Sequence, residues 1–307
     1  MYGCGVLIGI IVAGGSACSC SYKSAVFGFL TAVFLQAGTF ALNDFYDLES
    51  DIANQRRDRP LVRGELKKEE ALLVACVAVV VGLFFASFLG WVLFLLASVL
   101  AVLGVLYDVK LKEVLAVSNI YIAFTMAVPF VFGGLIAEPT AVGTAVRAAV
   151  EAAVGAAVGT GAGAGVGAGA GAGTGAGEEV ALLVLSSIAF SAGFGREVMK
   201  DIEDAKGDAL RGVRSLARVY GLERAKQVVV FSYSAAVLLS AVPFFLTDTS
   251  YFLNPAYLLP ILVADALFVH ASFRLFFGRE EKQLRKETLV AVAAGLVAFV
   301  AGALVRL

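Results

Sequence analysis

The sequence is poor in the residues that make a protein surface soluble in water. Only 16% of its 307 residues are charged, against roughly 25% in typical soluble domains. It has one histidine, which excludes a histidine-rich metal site, and its four cysteines do not form a disulfide framework. The net charge of −1 is uninformative by itself, because the charges are strongly segregated along the chain. An ordinary soluble domain and a disordered protein are both excluded.

Apolar residues are in excess: 60% of the chain is hydrophobic and the mean hydropathy is +0.87. A membrane-spanning helix needs roughly 20 mainly apolar residues. Nine such runs lie near residues 5–21, 24–46, 69–89, 91–107, 114–136, 179–200, 226–246, 251–277 and 287–306. We therefore predict an all-α polytopic membrane protein, with nine helices in one bundle and a single domain over residues 1–307.

The basic residues predict the orientation of this bundle. Of the 24 Lys and Arg residues, 21 lie in alternate connections between the predicted helices, and only Lys23, Arg147 and Arg306 fall elsewhere. Positive residues concentrate in cytoplasmic loops. We predict a cell-membrane protein whose N-terminus and charged loops are cytoplasmic and whose C-terminus is external.

Residues 138–178 break the pattern, because they pass from an alanine-rich stretch into a glycine–alanine alternation. Such a chain has few side chains to pack and a high entropic cost of ordering. We predict a flexible external loop within the single domain.

Two clusters of acidic residues stand near one end of the predicted bundle. Asn43, Asp44, Asp47 and Asp51 fall within an arc of about 100° on a helix. Asp201, Asp204 and Asp208 fall within about 60°. Carboxylates crowded on one face repel each other and are costly near the membrane core, so they call for a cation. Mg²⁺ binds through one or two carboxylates together with substrate phosphates. The pattern favours a magnesium–diphosphate site at the cytoplasmic mouth; the alternative is a pair of solvated helix ends.

Cations flank both acidic clusters and also end the fourth predicted helix, at the same mouth of the bundle. They include Arg56, Arg57, Arg59, Arg63, Lys110, Lys112, Arg196, Lys200, Arg211 and Arg214. Positive side chains near a bound diphosphate neutralise the charge that develops when it leaves. Any single one of them could instead be a cytoplasmic anchor of the membrane helices.

These motifs resemble those of the UbiA superfamily of intramembrane prenyltransferases. Asn43-Asp44-Phe45-Tyr46-Asp47 through Asp51 matches the family's NDxxDxxxD pattern, and Asp204 through Asp208 matches its DxxxD pattern. Arg59-Pro60-Leu61 through Gly64 resembles the stretch that continues the first motif, and Tyr107 with Lys110 and Lys112 resembles a Tyr/Lys motif. The arginine–proline–asparagine stretch often found at the start of the first helix is missing here. The similarity covers nearly the whole chain and implies a nine-helix fold.

The resemblance also implies roles for individual residues. Mg²⁺ would be held, directly or through water, by Asp44, Asp47, Asp51, Asp201, Asp204 and Asp208. Contacts with the diphosphate or the acceptor are implied for Asn43, Arg57, Arg63, Tyr107, Lys110, Lys112, Arg196 and Lys200. The set implied to act in the chemistry itself is Asn43, Asp47, Asp204, Tyr107 and Lys112.

The implied reaction is Mg²⁺-dependent transfer of a prenyl group from its diphosphate to a lipophilic acceptor through an allylic carbocation. The stretch from Arg196 to Asp208 is most similar to archaeal lipid enzymes, which implies a geranylgeranyl donor and geranylgeranylglyceryl phosphate as acceptor. Aromatic acceptors of the 4-hydroxybenzoate or dihydroxynaphthoate type, used in quinone synthesis, are the alternative. The expected partners are the prenyl diphosphate, the acceptor and membrane lipid, and no nucleic acid.

Some features leave other interpretations open. A secondary transporter would also have many apolar helices, but its site would lie at the membrane midplane between repeated halves. Here the acidic residues lie at one end, and nine is an odd count. Asp265 and Asn119 lie within predicted spans, where an acidic or amide group is either functional or a structural hydrogen-bonding residue.

Overall fold

The computed structural model describes residues 2–14, 20–53, 56–57, 59–137, 176–211, 215–247, 249–277 and 281–305. Within these ranges all regular secondary structure is helical. The long helices are α1 (Tyr2–Gly14), α2 (Tyr22–Ala53), α4 (Lys68–Ser87), α5 (Trp91–Val109), α6 (Val117–Ala137), α7 (Ala176–Arg211), α9 (Leu222–Ser240), α11 (Pro255–Phe276) and α12 (Glu281–Leu304). Short connecting helices are α3 (Pro60–Arg63), α8 (Leu216–Tyr220) and α10 (Val242–Phe245), and a 3₁₀ turn covers Leu111–Glu113.

Eight of these helices are long and apolar enough to cross a membrane, which confirms an all-α polytopic membrane protein over the described part of the chain. The first predicted span, residues 5–21, corresponds to α1, and the 13 residues of α1 that are described are fewer than a membrane crossing requires. The count of nine spans and the orientation of the bundle stay predictions.

The predicted external loop falls almost entirely outside the described residues. The exception is the C-terminal end of that loop, which was predicted to extend to residue 178. In the structure α7 covers Ala176–Arg211, so the helix already begins at Ala176. Glu178 in this first turn is buried and accepts hydrogen bonds from the backbone N–H and the hydroxyl of Ser250. A charged residue expected at a loop border thus holds the start of α7 against the segment that precedes α11.

Helices pack both against neighbours in the sequence and against distant helices. The most extensive contacts are α2 with α4, α11 with α12, α1 with α6, and α7 with both α6 and α9. Glycine allows the closest approach, between α1 and α6. A Cβ at Gly9 would overlap the carbonyl oxygen of Phe130, and one at Gly133 would overlap that of Val6. Small residues at helix crossings are the usual means of packing helices in lipid, where apolar burial gives little drive for association.

Two apolar cores fill the bundle. One is centred on α1, α6 and the start of α7 and contains Val6, Phe130, Leu182 and Phe299. The other joins the second half of α7 to α9, α11 and α12. Large apolar side chains such as those of α4 point outward, as expected where lipid replaces water.

Candidate active site

A cavity of about 540 Å³ opens among α1, α2, α5, α6 and α7. Three residues of the first acidic cluster line it, because Asn43, Asp47 and Asp51 are four residues apart and so lie on one face of α2. Asp51 is buried, and Asn43 and Asp47 are half-buried. The helical arrangement predicted from the spacing therefore places carboxylates on the wall of a cavity.

Asp47 is paired with a lysine that follows α5. The Nζ atom of Lys112 lies 2.5 Å from Oδ1 of Asp47, and both side chains line the cavity. Lys112 belongs to the 3₁₀ turn Leu111–Glu113. This turn brings the ammonium group back over the cavity after α5 has ended.

Asp44 is paired with an arginine beyond the end of α2. Nη1 of Arg59 lies 2.7 Å from Oδ1 of Asp44, and its Nε lies 4.0 Å from Oδ2 of Asp51. Arg59 and Arg56 line the cavity, whereas Asp44 is not among its lining residues. The arginine thus links the two outer carboxylates of the first cluster and presents positive charge to the same space.

The second acidic stretch lies on α7, at the same end of the bundle. Glu197 and Lys200 line the cavity, and their side chains are 3.7 Å apart. Asp201 accepts a hydrogen bond of 3.0 Å from Nδ2 of Asn119 on α6, and Asn119 is only 5% exposed. Asp204 and Asp208 belong to α7, but their side chains lie outside the described residues.

Aromatic rings lie next to the charged end. Tyr107 of α5 stacks on Tyr121 of α6, with ring centroids 4.3 Å apart and planes 18° from parallel. Both line the cavity, together with Tyr2 of α1 and the buried Asp108. The backbone N–H of Tyr2 donates to Oε1 of Gln36, so α1 is fixed at the cavity wall. Stacked rings next to a charged region can stabilise a cation that forms there.

The opposite end of the cavity is apolar. It is lined by Val6, Ala32, Leu35, Ala97, Leu100, Ala101, Val128, Pro129 and Phe132. Along α2 the lining runs from Thr31 to Asp51, which corresponds to about 30 Å of helix. The cavity therefore suits a molecule with a charged head and a long hydrocarbon chain.

Other residues implied by the resemblance lie outside this cavity. Arg57, Arg63 and Lys110 are exposed, and Arg63 pairs with Glu65 at 2.6 Å. Arg196 lines a separate cleft on another face of α7. The structure thus brings together Asn43, Asp47, Asp51, Tyr107, Lys112 and Lys200 at the cavity, whereas Asp44 and Asp201 are held by Arg59 and Asn119 and do not line it.

The sequence patterns did not point to several polar residues that line the cavity, among them Asp108, Tyr121 and Glu197. Asp108 directly follows Tyr107, and Glu197 stands one turn before Lys200. Helical spacing could therefore have pointed to Glu197. Tyr121 carries no such signal, because its position depends on how α6 packs against α5.

The donor set fits a hard divalent cation. Within the described residues no three His, Cys, Asp or Glu side chains are already gathered as a metal cluster. Asp47 and Asp51 nevertheless present carboxylate oxygens to a cavity that Asn43 also lines. Mg²⁺ typically takes only one or two protein carboxylates and completes its shell with water and substrate phosphate oxygens. These residues fit that requirement.

Comparison with known proteins agrees with this geometry. The model of the UbiA prenyltransferase family matches residues 4–294. The chain belongs to the UbiA prenyltransferase family. The resemblance inferred from the two acidic motifs is thereby confirmed.

Among curated UbiA proteins, a digeranylgeranylglyceryl phosphate synthase from Archaeoglobus fulgidus is 40% identical over 306 residues, covering 99% of this chain and 91% of the relative. A protein of the same name from Thermococcus kodakarensis is 28% identical, and the matched region covers 98% of this chain and 92% of that relative.

Solved UbiA structures share the fold. A structure of digeranylgeranylglyceryl phosphate synthase has a TM-score of 0.72 at 24% identity, covering 98% of this chain and 92% of its own. A UbiA homologue from Archaeoglobus fulgidus bound to GPP and Mg²⁺ has a TM-score of 0.59 at 18% identity. The match covers 98% of this chain and 95% of the homologue.

Proposed function

We propose that this protein catalyses Mg²⁺-dependent transfer of a geranylgeranyl group from its diphosphate to geranylgeranylglyceryl phosphate. The observation that carries the proposal is one cavity that has carboxylates and cations at one end and a mainly apolar lining at the other. The name of the 40% identical relative, a digeranylgeranylglyceryl phosphate synthase, supports the choice of acceptor. The homologue bound to GPP and Mg²⁺ supports the choice of metal.

The charged end binds and activates the diphosphate. Asp47 and Asp51 would hold Mg²⁺, which when bound would supply positive charge that favours departure of the diphosphate. Lys112 and Arg59 border the same space and neutralise the charge that grows on the diphosphate as the allylic C–O bond lengthens. Asn43 offers an amide N–H₂ for a further hydrogen bond to a phosphate oxygen.

The aromatic and apolar walls protect the carbocation. Tyr107 and Tyr121 lie beside the charged end, where the first carbon of the prenyl chain becomes positive. Ring faces attract a cation, and the apolar lining excludes water that would otherwise capture it. The acceptor hydroxyl then forms the new C–O bond and loses its proton.

The bundle would be oriented with its charged cavity mouth and N-terminus in the cytoplasm and its C-terminus outside. The support is the concentration of Lys and Arg in alternate connections, including the one that holds Arg56 and Arg59. A cytoplasmic mouth would give a water-soluble diphosphate group direct access to the acidic residues.

Turnover by the purified protein in detergent tests the reaction. Geranylgeranyl diphosphate and Mg²⁺ are combined separately with geranylgeranylglyceryl phosphate, 4-hydroxybenzoate and a dihydroxynaphthoate. We expect product with the glyceryl phosphate alone, its loss on addition of EDTA, and its return with excess Mg²⁺. Product with an aromatic acceptor instead would assign the protein to quinone synthesis and overturn the proposed acceptor.

A further inference from the structure

A second cleft, of about 270 Å³, lies between α7 and α12. Arg196 and Glu203 line it from α7, where a spacing of seven residues places them on one helix face. Arg285, Lys286 and Leu289 line it from α12. Among the described residues, none lines both this cleft and the larger cavity.

The lining of this cleft has an excess of positive charge. Among the described residues that line it, three cations face one carboxylate, and that carboxylate is already paired, because Nη1 of Arg285 lies 2.9 Å from Oε2 of Glu203. Among the described residues, no carboxylate oxygen lies within 4.0 Å of the cationic groups of Arg196 or Lys286. The ion pairs formed by described residues of α7, α11 and α12 join other side chains.

Arg196 is the cation of this cleft with an unsatisfied hydrogen-bond donor among the described residues. Its Nε atom is buried and has no hydrogen-bond partner among the described residues. Buried polar groups in proteins are nearly always hydrogen-bonded, and a buried charge without a partner is costly. A multivalent oxyanion in the cleft would supply acceptors for the guanidinium and for the neighbouring ammonium group.

The outer surface of α12 indicates that the anion is attached to an apolar chain. Lys286, Val290 and Val297 follow one another on one face of this helix, and both valines are 58% exposed. Leu289 lies at the cleft itself. An amphiphile whose charged group lies at Lys286 would therefore have its acyl or isoprenoid chain along an apolar helix face.

We propose that this cleft binds the phosphate group of an anionic membrane lipid. Basic pockets between membrane helices are suited to lipid phosphates, and arginine offers planar, bidentate hydrogen bonding to them. The bound phosphate joins α7 to α12 beside the Arg285–Glu203 ion pair, one residue before the second acidic motif begins at Asp204. The lipid therefore stabilises the segment of α7 that carries this motif.

The test measures lipid binding without any prenyl substrate. The full-length protein in a non-ionic detergent is titrated with phosphatidylglycerol, with phosphatidylcholine of the same chains, and with inorganic phosphate. Thermal unfolding and native mass spectrometry follow stability and the number of bound lipids. We expect phosphatidylglycerol to raise the melting temperature saturably, since a ligand of the folded state stabilises it, and the other two to have little effect.

Variants locate the binding to this cleft. Lys286→Ala should weaken phosphatidylglycerol binding about fivefold, and Arg196→Gln with Lys286→Ala should abolish the saturable shift. Arg224→Ala removes an exposed cation from α9, outside the cleft, and should leave binding unchanged. Because each variant is compared with and without lipid, a general loss of stability does not imitate the effect.

Three results would overturn the proposal. Equal stabilisation by phosphatidylcholine, which has the same chains and a phosphate but no net charge, would show that the cleft does not select an anionic lipid. Saturation by inorganic phosphate at the same concentration would assign the cleft to a soluble anion. Equal weakening by Arg224→Ala would show that phosphatidylglycerol responds to overall charge and not to this cleft.

Discussion

Asp47 and Lys112 form an ion pair of 2.5 Å between residues 65 positions apart in the sequence. The pair joins the end of α2 to the turn after α5, on the wall of the larger cavity. Its carboxylate has the chemistry of a Mg²⁺ ligand and its ammonium group that of a diphosphate ligand. The two charges stabilise each other in the free protein and provide complementary contacts for a metal–diphosphate complex.

Removing either charge of this pair should therefore impair turnover. We expect Asp47→Asn and Lys112→Met each to lower kcat by about 100-fold or more, in line with the loss of one electrostatic contact to a leaving group. The measurement is product formation from geranylgeranyl diphosphate and geranylgeranylglyceryl phosphate. Glu49→Gln, an exposed position on the same helix, is the matched control. Unchanged turnover of Asp47→Asn would contradict the proposed site.

Asn119 should act as a positioning residue for the second acidic stretch. Its amide donates to Asp201 across the α6–α7 contact, and loss of such supporting hydrogen bonds typically costs about 10–100-fold in metal affinity or activity. We expect Asn119→Ala to raise the Mg²⁺ concentration needed for half-maximal rate, and Asn119→Asp to raise it further, because it places two carboxylates together. Ser186→Ala removes a hydrogen bond within α7 itself and is the control. An unchanged Mg²⁺ dependence would show that Asn119 is merely structural.

The first acidic motif illustrates what the sequence can predict. Helical spacing alone placed Asn43, Asp44, Asp47 and Asp51 on one face, and all of these except Asp44 line the cavity. The spacing could not identify the cationic partners. Arg59 reaches Asp44 from a segment beyond the end of α2, and neither its backbone path nor its direction follows from periodicity.

The choice between Lys110 and Lys112 shows a second limit. The 100° rotation per residue applies only while the chain is α-helical. Here α5 ends at Val109, and Lys110 has φ −147°, so the next residues turn away from the helical path. Lys112 consequently reaches the cavity while Lys110 is exposed. Arg196 and Lys200 were similarly grouped by sequence, although they line different clefts.

Asp265, an acidic residue within a membrane span, should be structural. Its Oδ2 accepts a hydrogen bond of 2.8 Å from the hydroxyl of Ser240 on α9, and it lines neither cleft. We expect Asp265→Ala to lower stability by about 1 kcal/mol, the usual value of one side-chain hydrogen bond. Asp265→Asn should preserve both the fold and kcat. Thermal unfolding and turnover of the same preparations distinguish this from a catalytic role, in which Asp265→Asn would lose activity without losing stability.

The apolar end of the cavity should determine the length of the prenyl chain that is accepted. Ala101 and Ala97 line the cavity from α5, and Asp108 marks its charged end on the same helix. With a rise of about 1.5 Å per residue, the two alanines lie about 10 and 16 Å from Asp108 along the helix axis. A phenylalanine at either position would fill the space that a chain of that length needs.

We expect Ala97→Phe to lower kcat/KM for the 20-carbon geranylgeranyl diphosphate about tenfold or more, because overfilling a packed site is costly, while that for the 10-carbon geranyl diphosphate changes little. Ala101→Phe, nearer the charged end, should impair both and spare only the five-carbon dimethylallyl diphosphate. Val102→Phe places the same ring on the exposed face of α5 and should change neither. Steric limits at two depths along α5 must discriminate between prenyl chains of different length. If Ala97→Phe and Ala101→Phe affected the three donors equally, the prenyl chain would therefore not lie along α5.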